Sequence, residues 1–159
     1  METACQPDSR LVVLHVDDDH NDMALFALAI EQTDTPIWVQ TAFGTTEAIA
    51  YLEGKGRYAD RNLHPMPNLV LLDLKMHAGD GFEFLERRKD SNFAAVPVVI
   101  FTGNQNQDDI ERALKLGATR HIEKPMSFKE LMAAAGRIWA YGKEAKAAEA
   151  DRGKKELAG

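Results

Sequence analysis

Cysteine is nearly absent: Cys5 is the only one in 159 residues. No disulfide can form within the chain, which suits a reducing compartment. Long apolar runs are absent too. No stretch approaches the roughly 20 residues that cross a bilayer. The first ten residues, Met1 to Arg10, are polar and lack the apolar centre of a signal peptide. A basic surplus is also missing. Nineteen Lys and Arg stand against 25 Asp and Glu, a net charge of -6, which argues against binding a nucleic-acid backbone. There is no internal repeat. These absences predict a soluble, cytoplasmic protein. The apolar fraction of 45% is ordinary, which excludes wholesale disorder, and the length suits one domain.

Strand-length apolar runs alternate with helical patterns. Leu11 to Val16 is short and branched and reads as a buried strand. Asp19 to Gln32 follows as a helix capped by Asp19. Ile37 to Ala42 is a second strand, and Thr45 or Thr46 caps the next helix, which runs to about Leu52. Glu53 to Pro67 is a long Gly-, Pro- and charge-rich loop, predicted to be functional or mobile. Asn68 to Leu74 is apolar without alternation, as expected of a strand buried on both faces. Phe82 to Lys89 is helical and Pro97 to Phe101 is a fourth strand. Asp108 to Leu116 is a helix stopped by Gly117. Thr119 to Glu123 is a fifth strand. Ser127 to Glu130 forms a capping box, and Phe128, Leu131, Ala135, Ile138 and Trp139 then recur at helical spacing toward the core. Five strands alternating with five helices predict an α/β fold, a doubly wound five-stranded parallel sheet. Residues 8–141 would form the domain, and 142–159 a polar tail rich in Ala, Lys and Glu.

In such sheets ligands bind beyond the carboxyl ends of the strands. The first strand ends in Asp17-Asp18-Asp19, the third in Asp73, the fourth in Thr102-Gly103 and the fifth in Lys124-Pro125. If the strands are parallel, these groups share one edge. Carboxylates from two strands make a hard oxygen site suited to Mg²⁺. A hydroxyl and an ammonium beside them suit a phosphoryl group.

This set resembles the receiver domain of two-component response regulators, over Leu11 to Tyr141. Asp73-Leu-Lys-Met-His-Ala-Gly-Asp-Gly is similar to the phosphoacceptor loop, with Thr102 and Lys124-Pro125 following at the family's spacing. The resemblance implies a flavodoxin-like fold and a stand-alone switch that takes a phosphoryl group on Asp73 from a sensor histidine kinase or a histidine phosphotransfer protein. A narrower likeness is to single-domain regulators paired with phytochrome-type sensor kinases. By the same resemblance Mg²⁺ would be held by Asp17, Asp18, Asp73 and the backbone carbonyl of Lys75. Lys124 would pair with the phosphoryl oxygens, Thr102 would report them, and Pro125 would follow a cis bond. His121 stands at the family's aromatic switch position, and His77 stands where a proline is usual. Lys75 and Asn104 would rim the site; a Lys75 pointing inward would slow self-dephosphorylation, and a solvent-facing one is the alternative.

The first helix is apolar on two sides. Met23, Phe26, Ala27 and Ile30 share one face on a helical wheel; Leu25 and Leu28 point away and suggest docking to a kinase phosphotransfer domain. His15 reads as a packed histidine rather than a ligand, and a homodimer is left open. Two other functions compete with the switch. An aspartyl-nucleophile phosphatase of the haloacid-dehalogenase kind needs a second Asp two residues after the nucleophile, where Lys75 stands. A pseudo-receiver, a binding module that never takes phosphate, would be favoured by loss of Asp18, Asp73 or Lys124, and all are present.

Overall fold

The computed structural model describes residues 10–76, 80–103 and 106–158, with 154–158 by backbone alone. Cys5, His77 and Asn104 lie outside the described residues. The strands are β1 (Leu11–Asp17), β2 (Ile37–Phe43), β3 (Leu69–Leu72), β4 (Val98–Thr102) and β5 (Arg120–Glu123). The helices are α1 (His20–Gln32), α2 (Thr45–Glu53), α3 (Gly81–Arg88), α4 (Gln107–Lys115) and α5 (Phe128–Ala158). All pairings are parallel, in the order β2-β1-β3-β4-β5. The chain leaves β1 toward β2 on one side and returns to β3 on the other, which opens a crevice beyond their carboxyl ends.

Helices cover both faces, so the central strands are buried throughout, as their unalternating apolar composition requires. Leu14, Val16, Val70, Leu72, Val98 and Ile100 pack with residues of α2, α3 and α4. Leu11, Val13, Leu69, Leu71, Val99 and Phe101 pack with α1 and α5 on the opposite face. The α1 stripe is rotated from the one expected. Ala29 is buried and Ala27 exposed, because the stripe faces α5 as well as the sheet. In α5, Leu131, Ala134, Ala135 and Ile138 are buried, while Phe128 and Trp139 pack as partly buried neighbours. Asp19 accepts from the backbone N–H of Asn21 and Asp22, and Ser127 from that of Glu130, so these two expected caps form, whereas α2 is capped by Gly44 without a side-chain bond, and the Thr45 hydroxyl donates to Asp80 O instead. α5 continues without a break past residue 141. Gly142 lies against Leu11, where a Cβ would meet the leucine side chain at 2.1 Å, and Glu144 pairs with Arg120 at 2.9 Å.

The connection between α2 and β3 carries a 3₁₀ turn, Gly56–Tyr58, and is fastened at several points. α2 ends on Gly54, whose φ of 67° is left-handed and comfortable for glycine. The absence of a side chain there makes room for the Arg61 guanidinium, which donates to the carbonyls of Tyr51, Leu52 and His64 at 2.8, 2.8 and 3.1 Å. Two of these are carbonyls of the last turn of α2, and that of Tyr51 also accepts from the Gly54 N–H at 3.1 Å. The Tyr51 hydroxyl donates to Pro65 O at 2.8 Å. Removing a charged donor from part-buried carbonyls costs about 2 kcal/mol. Arg61→Ala should therefore melt roughly 4–8 °C lower, with faster amide exchange over 53–67, both measurable by calorimetry and hydrogen exchange.

Candidate functional site

The site is built at the strand ends. β1 terminates in Asp17, whose Oδ1 accepts from the backbone N–H of Asp18 at 2.8 Å and Asp19 at 3.0 Å. This turns the chain from strand into α1 and fixes Asp17, which is fully buried. β3 delivers Asp73, whose N–H donates to Val16 O on the neighbouring strand at 3.1 Å. Oxygens of Asp17, Asp18 and Asp73 lie within 4.8 Å of one another. Thr102, at the end of β4, donates its hydroxyl to Asp73 Oδ1 at 2.9 Å, and the Lys75 N–H approaches the same oxygen at 3.3 Å. Behind Asp73, Gly81 begins α3 with its N–H on Leu74 O. A Cβ at Gly81 would stand 2.6 Å from the carbonyl oxygen of Asp73, so the close turn of the loop admits glycine alone. Asp80 caps α3, accepting from Glu83 N at 2.9 Å.

Lys124 reaches back from the end of β5. Its ammonium donates to Asp17 Oδ2 at 2.7 Å, Asp22 Oδ2 at 2.8 Å and Asp73 Oδ2 at 3.0 Å. An ammonium has three N–H groups, and all three are used. Asp22 was not among the expected site residues. It sits in the first turn of α1, five residues after Asp17, so the helix turns it back over the strand end.

Charge decides what the pocket can hold. Lys124 is shared by three carboxylates, Asp17, Asp22 and Asp73, so its single charge leaves them net negative, with Asp18 beside them. Two carboxylates at this spacing repel by on the order of 3 kcal/mol at an effective dielectric constant near 20. The donors are all oxygen, so the residues present fit a hard divalent cation. Burial and the buried pairings act on each group in turn. Burial raises the Asp17 pKa, but His15 and Lys124 outweigh it and hold the carboxyl below the usual range. The His15 Nε2 is 3.6 Å from Oδ2, beyond hydrogen-bond length, so Lys124 is the firmer support. For Asp73, burial and then the Asp17 charge win over Lys124 and Thr102, and its pKa lies above the usual value. Burial lowers the Lys124 pKa, but Asp17, Asp22 and Asp73 together raise it, so the ammonium stays charged.

The other expected residues are placed as follows. Leu25 and Leu28 are exposed on α1, at 45% and 42%. Lys75 is exposed. His121, on β5 beside Ile100, is half-buried. His15 is packed in the core, edge-on to Phe26 at 5.2 Å between ring centroids. The Lys124–Pro125 bond is trans, as are all bonds of the described residues, against the cis form the resemblance implied. Trans is the form an X–Pro amide itself favours, by about 0.5–1 kcal/mol. No described helix is long and apolar enough to cross a membrane.

The family model described as "Response regulator receiver domain" matches residues 13–136. The chain belongs to this family. Among curated relatives, the receiver is 29% identical to the probable methanogenesis regulatory protein FilR2 of Methanothrix harundinacea, over 79% of each chain. It is 29% identical to the response regulator Rcp1 of Synechocystis, over 76% of this chain and 80% of Rcp1. Among solved structures, the phosphorylated cyanobacterial phytochrome response regulator RcpA superposes with a TM-score of 0.72 at 30% identity, covering 81% of this chain and 91% of RcpA. The Mn²⁺-bound form of Rcp1 superposes with a TM-score of 0.68 at 28% identity, covering 80% and 91%.

The raised Asp73 pKa means that folding disfavours its anion. This cost is present at neutral pH and vanishes below the ordinary aspartate value of about 3.9. Asp73→Asn keeps an acceptor for Lys124 and a donor for the Thr102 oxygen. In metal-free buffer at pH 7 it should melt a few degrees higher than the parent, and the gain should shrink as pH falls to about 4. Calorimetry across that range checks both the sign and the window.

Proposed function

We propose that this receiver is a phosphorylation-controlled switch whose acceptor is Asp73. Residues 8–141 form the receiver proper, and the remainder of α5 is a polar extension. The donor is a phosphohistidine on a sensor histidine kinase or a histidine phosphotransfer protein. The likeness to RcpA, a phytochrome response regulator, supports a phytochrome-type kinase. The protein acts in the cytoplasm and signals by protein contacts rather than by turnover of a substrate.

The observation that carries this reading is the environment of Asp73. One oxygen accepts from Thr102 and the other from Lys124, beside two further carboxylates. A carboxylate so held keeps lone pairs directed outward. An oxygen of Asp73 attacks phosphorus, the phosphorus–nitrogen bond of the donor breaks, and its electron pair leaves on the imidazole. Mg²⁺ held by Asp17, Asp18, Asp73 and the Lys75 carbonyl would offset repulsion between the carboxylate and the incoming anion. Lys124 then pairs with a phosphoryl oxygen, and the Thr102 hydroxyl turns from Asp73 to another.

Acetyl phosphate with Mg²⁺ should add one phosphoryl group, seen as a single increment in intact mass, and Asp73→Asn should abolish it. Labelling of that variant at the parent level would overturn the assignment. Leu25 and Leu28 suit a kinase docking face, since both are exposed apolar side chains on α1. Changing both to Glu should slow transfer from the cognate kinase at least tenfold, the scale of losing a docking hot spot, with acetyl phosphate labelling unchanged. Equal loss with both donors would return the two leucines to the core.

A further inference from the structure

Asp22 has no part in metal and phosphoryl chemistry that uses Asp17, Asp18, Asp73, the Lys75 carbonyl, Thr102 and Lys124. Yet Asp22 accepts one of the three Lys124 N–H groups at 2.8 Å, a contact as close as that of Asp17. A phosphoryl oxygen on Asp73 can bond the ammonium only if one of the three partners lets go. The partners are unequal in what release costs them. Asp17 has no exposed side-chain surface, so an anion released there cannot turn to water. Asp73 carries the phosphoryl group itself. The Asp22 side chain is 38% exposed and can turn to water. It also borders a small cavity of about 60 Å³, lined with His15, Leu25, Phe101, Lys124 and Leu131, which has room for water beside the carboxylate.

We infer that Asp22 is a positioning residue that holds Lys124 in the resting state and competes with the phosphoryl group for it. Its carboxylate aims the ammonium toward the pocket, then yields it when a stronger anion arrives. The same negative charge draws a divalent cation and repels a phosphoryl dianion. Asp22 therefore sets the balance between the two ligands, favouring metal binding and weakening the phosphorylated form. This rests on the phosphoacceptor reading given above.

The test measures two ligands of opposite charge on one variant. Mg²⁺ affinity is obtained by titration calorimetry. Affinity for beryllium trifluoride, a phosphoryl mimic, is obtained at saturating Mg²⁺ for the parent, Asp22→Asn and Asp22→Glu. In Asp22→Asn, Mg²⁺ should bind more weakly and beryllium trifluoride more tightly, each by roughly three- to tenfold, the scale of a part-exposed ion pair. Asp22→Glu should return both toward the parent. A variant that had merely lost structure at the start of α1 would weaken both ligands together, and that outcome overturns the inference. So would unchanged beryllium trifluoride affinity in Asp22→Asn. Failure of the parent to bind beryllium trifluoride at all would instead remove the phosphoacceptor reading beneath it.

Discussion

One ammonium holds the working end of this molecule together. Lys124 comes from the last strand, Asp17 from the first, Asp73 from the third and Asp22 from the first helix. Without it, Asp17, Asp22 and Asp73 would lose the cation they share. With it, the pocket stays strongly negative but finite in cost, and that remainder is what a divalent cation can offset. The parallel sheet exists in part to make this meeting possible. Only a parallel arrangement brings the carboxyl ends of β1, β3, β4 and β5 to one edge.

The balance in the pocket divides labour between two aspartates that look alike in the sequence. Asp17 is the more buried, yet His15 and Lys124 together outweigh burial and push its carboxyl down. At Asp73 burial, joined by the neighbouring Asp17 charge, outweighs Lys124 and Thr102, so its carboxyl is pushed up. The first is a fixed anion and the second an anion under stress. Stress of this kind is relieved by a cation or by a proton.

Much of this was legible in the sequence. Strand ends were marked by the switch from branched apolar residues to Asp, Thr or Lys, and the order of those ends placed Asp17, Asp18, Asp73, Thr102 and Lys124 together before any coordinates. His15 was legible as a packed ring. Asp22 was not, because it lies on a helix, where its direction depends on how α1 leaves β1. The signal was its place one helical turn inside the cap. The α1 stripe was misjudged by Ala27 and Ala29, since alanine carries too little apolar weight to reveal which side faces α5. The loop at 53–67 read as free because its fastening is made by a side chain, Arg61, to carbonyls that carry no mark in sequence.

α5 begins three residues after Lys124-Pro125 and runs as one helix to Ala158. At 1.5 Å per residue its 31 residues make a rod of about 46 Å. Such a rod turns angle into distance. A tilt of about 5° at the end nearest the carboxylate pocket, too small to break the packing of Leu131 and Ile138, would carry the far end through about 4 Å. The helix is thus a pointer whose hub sits beside the reacting atoms, and its tip magnifies what the hub does.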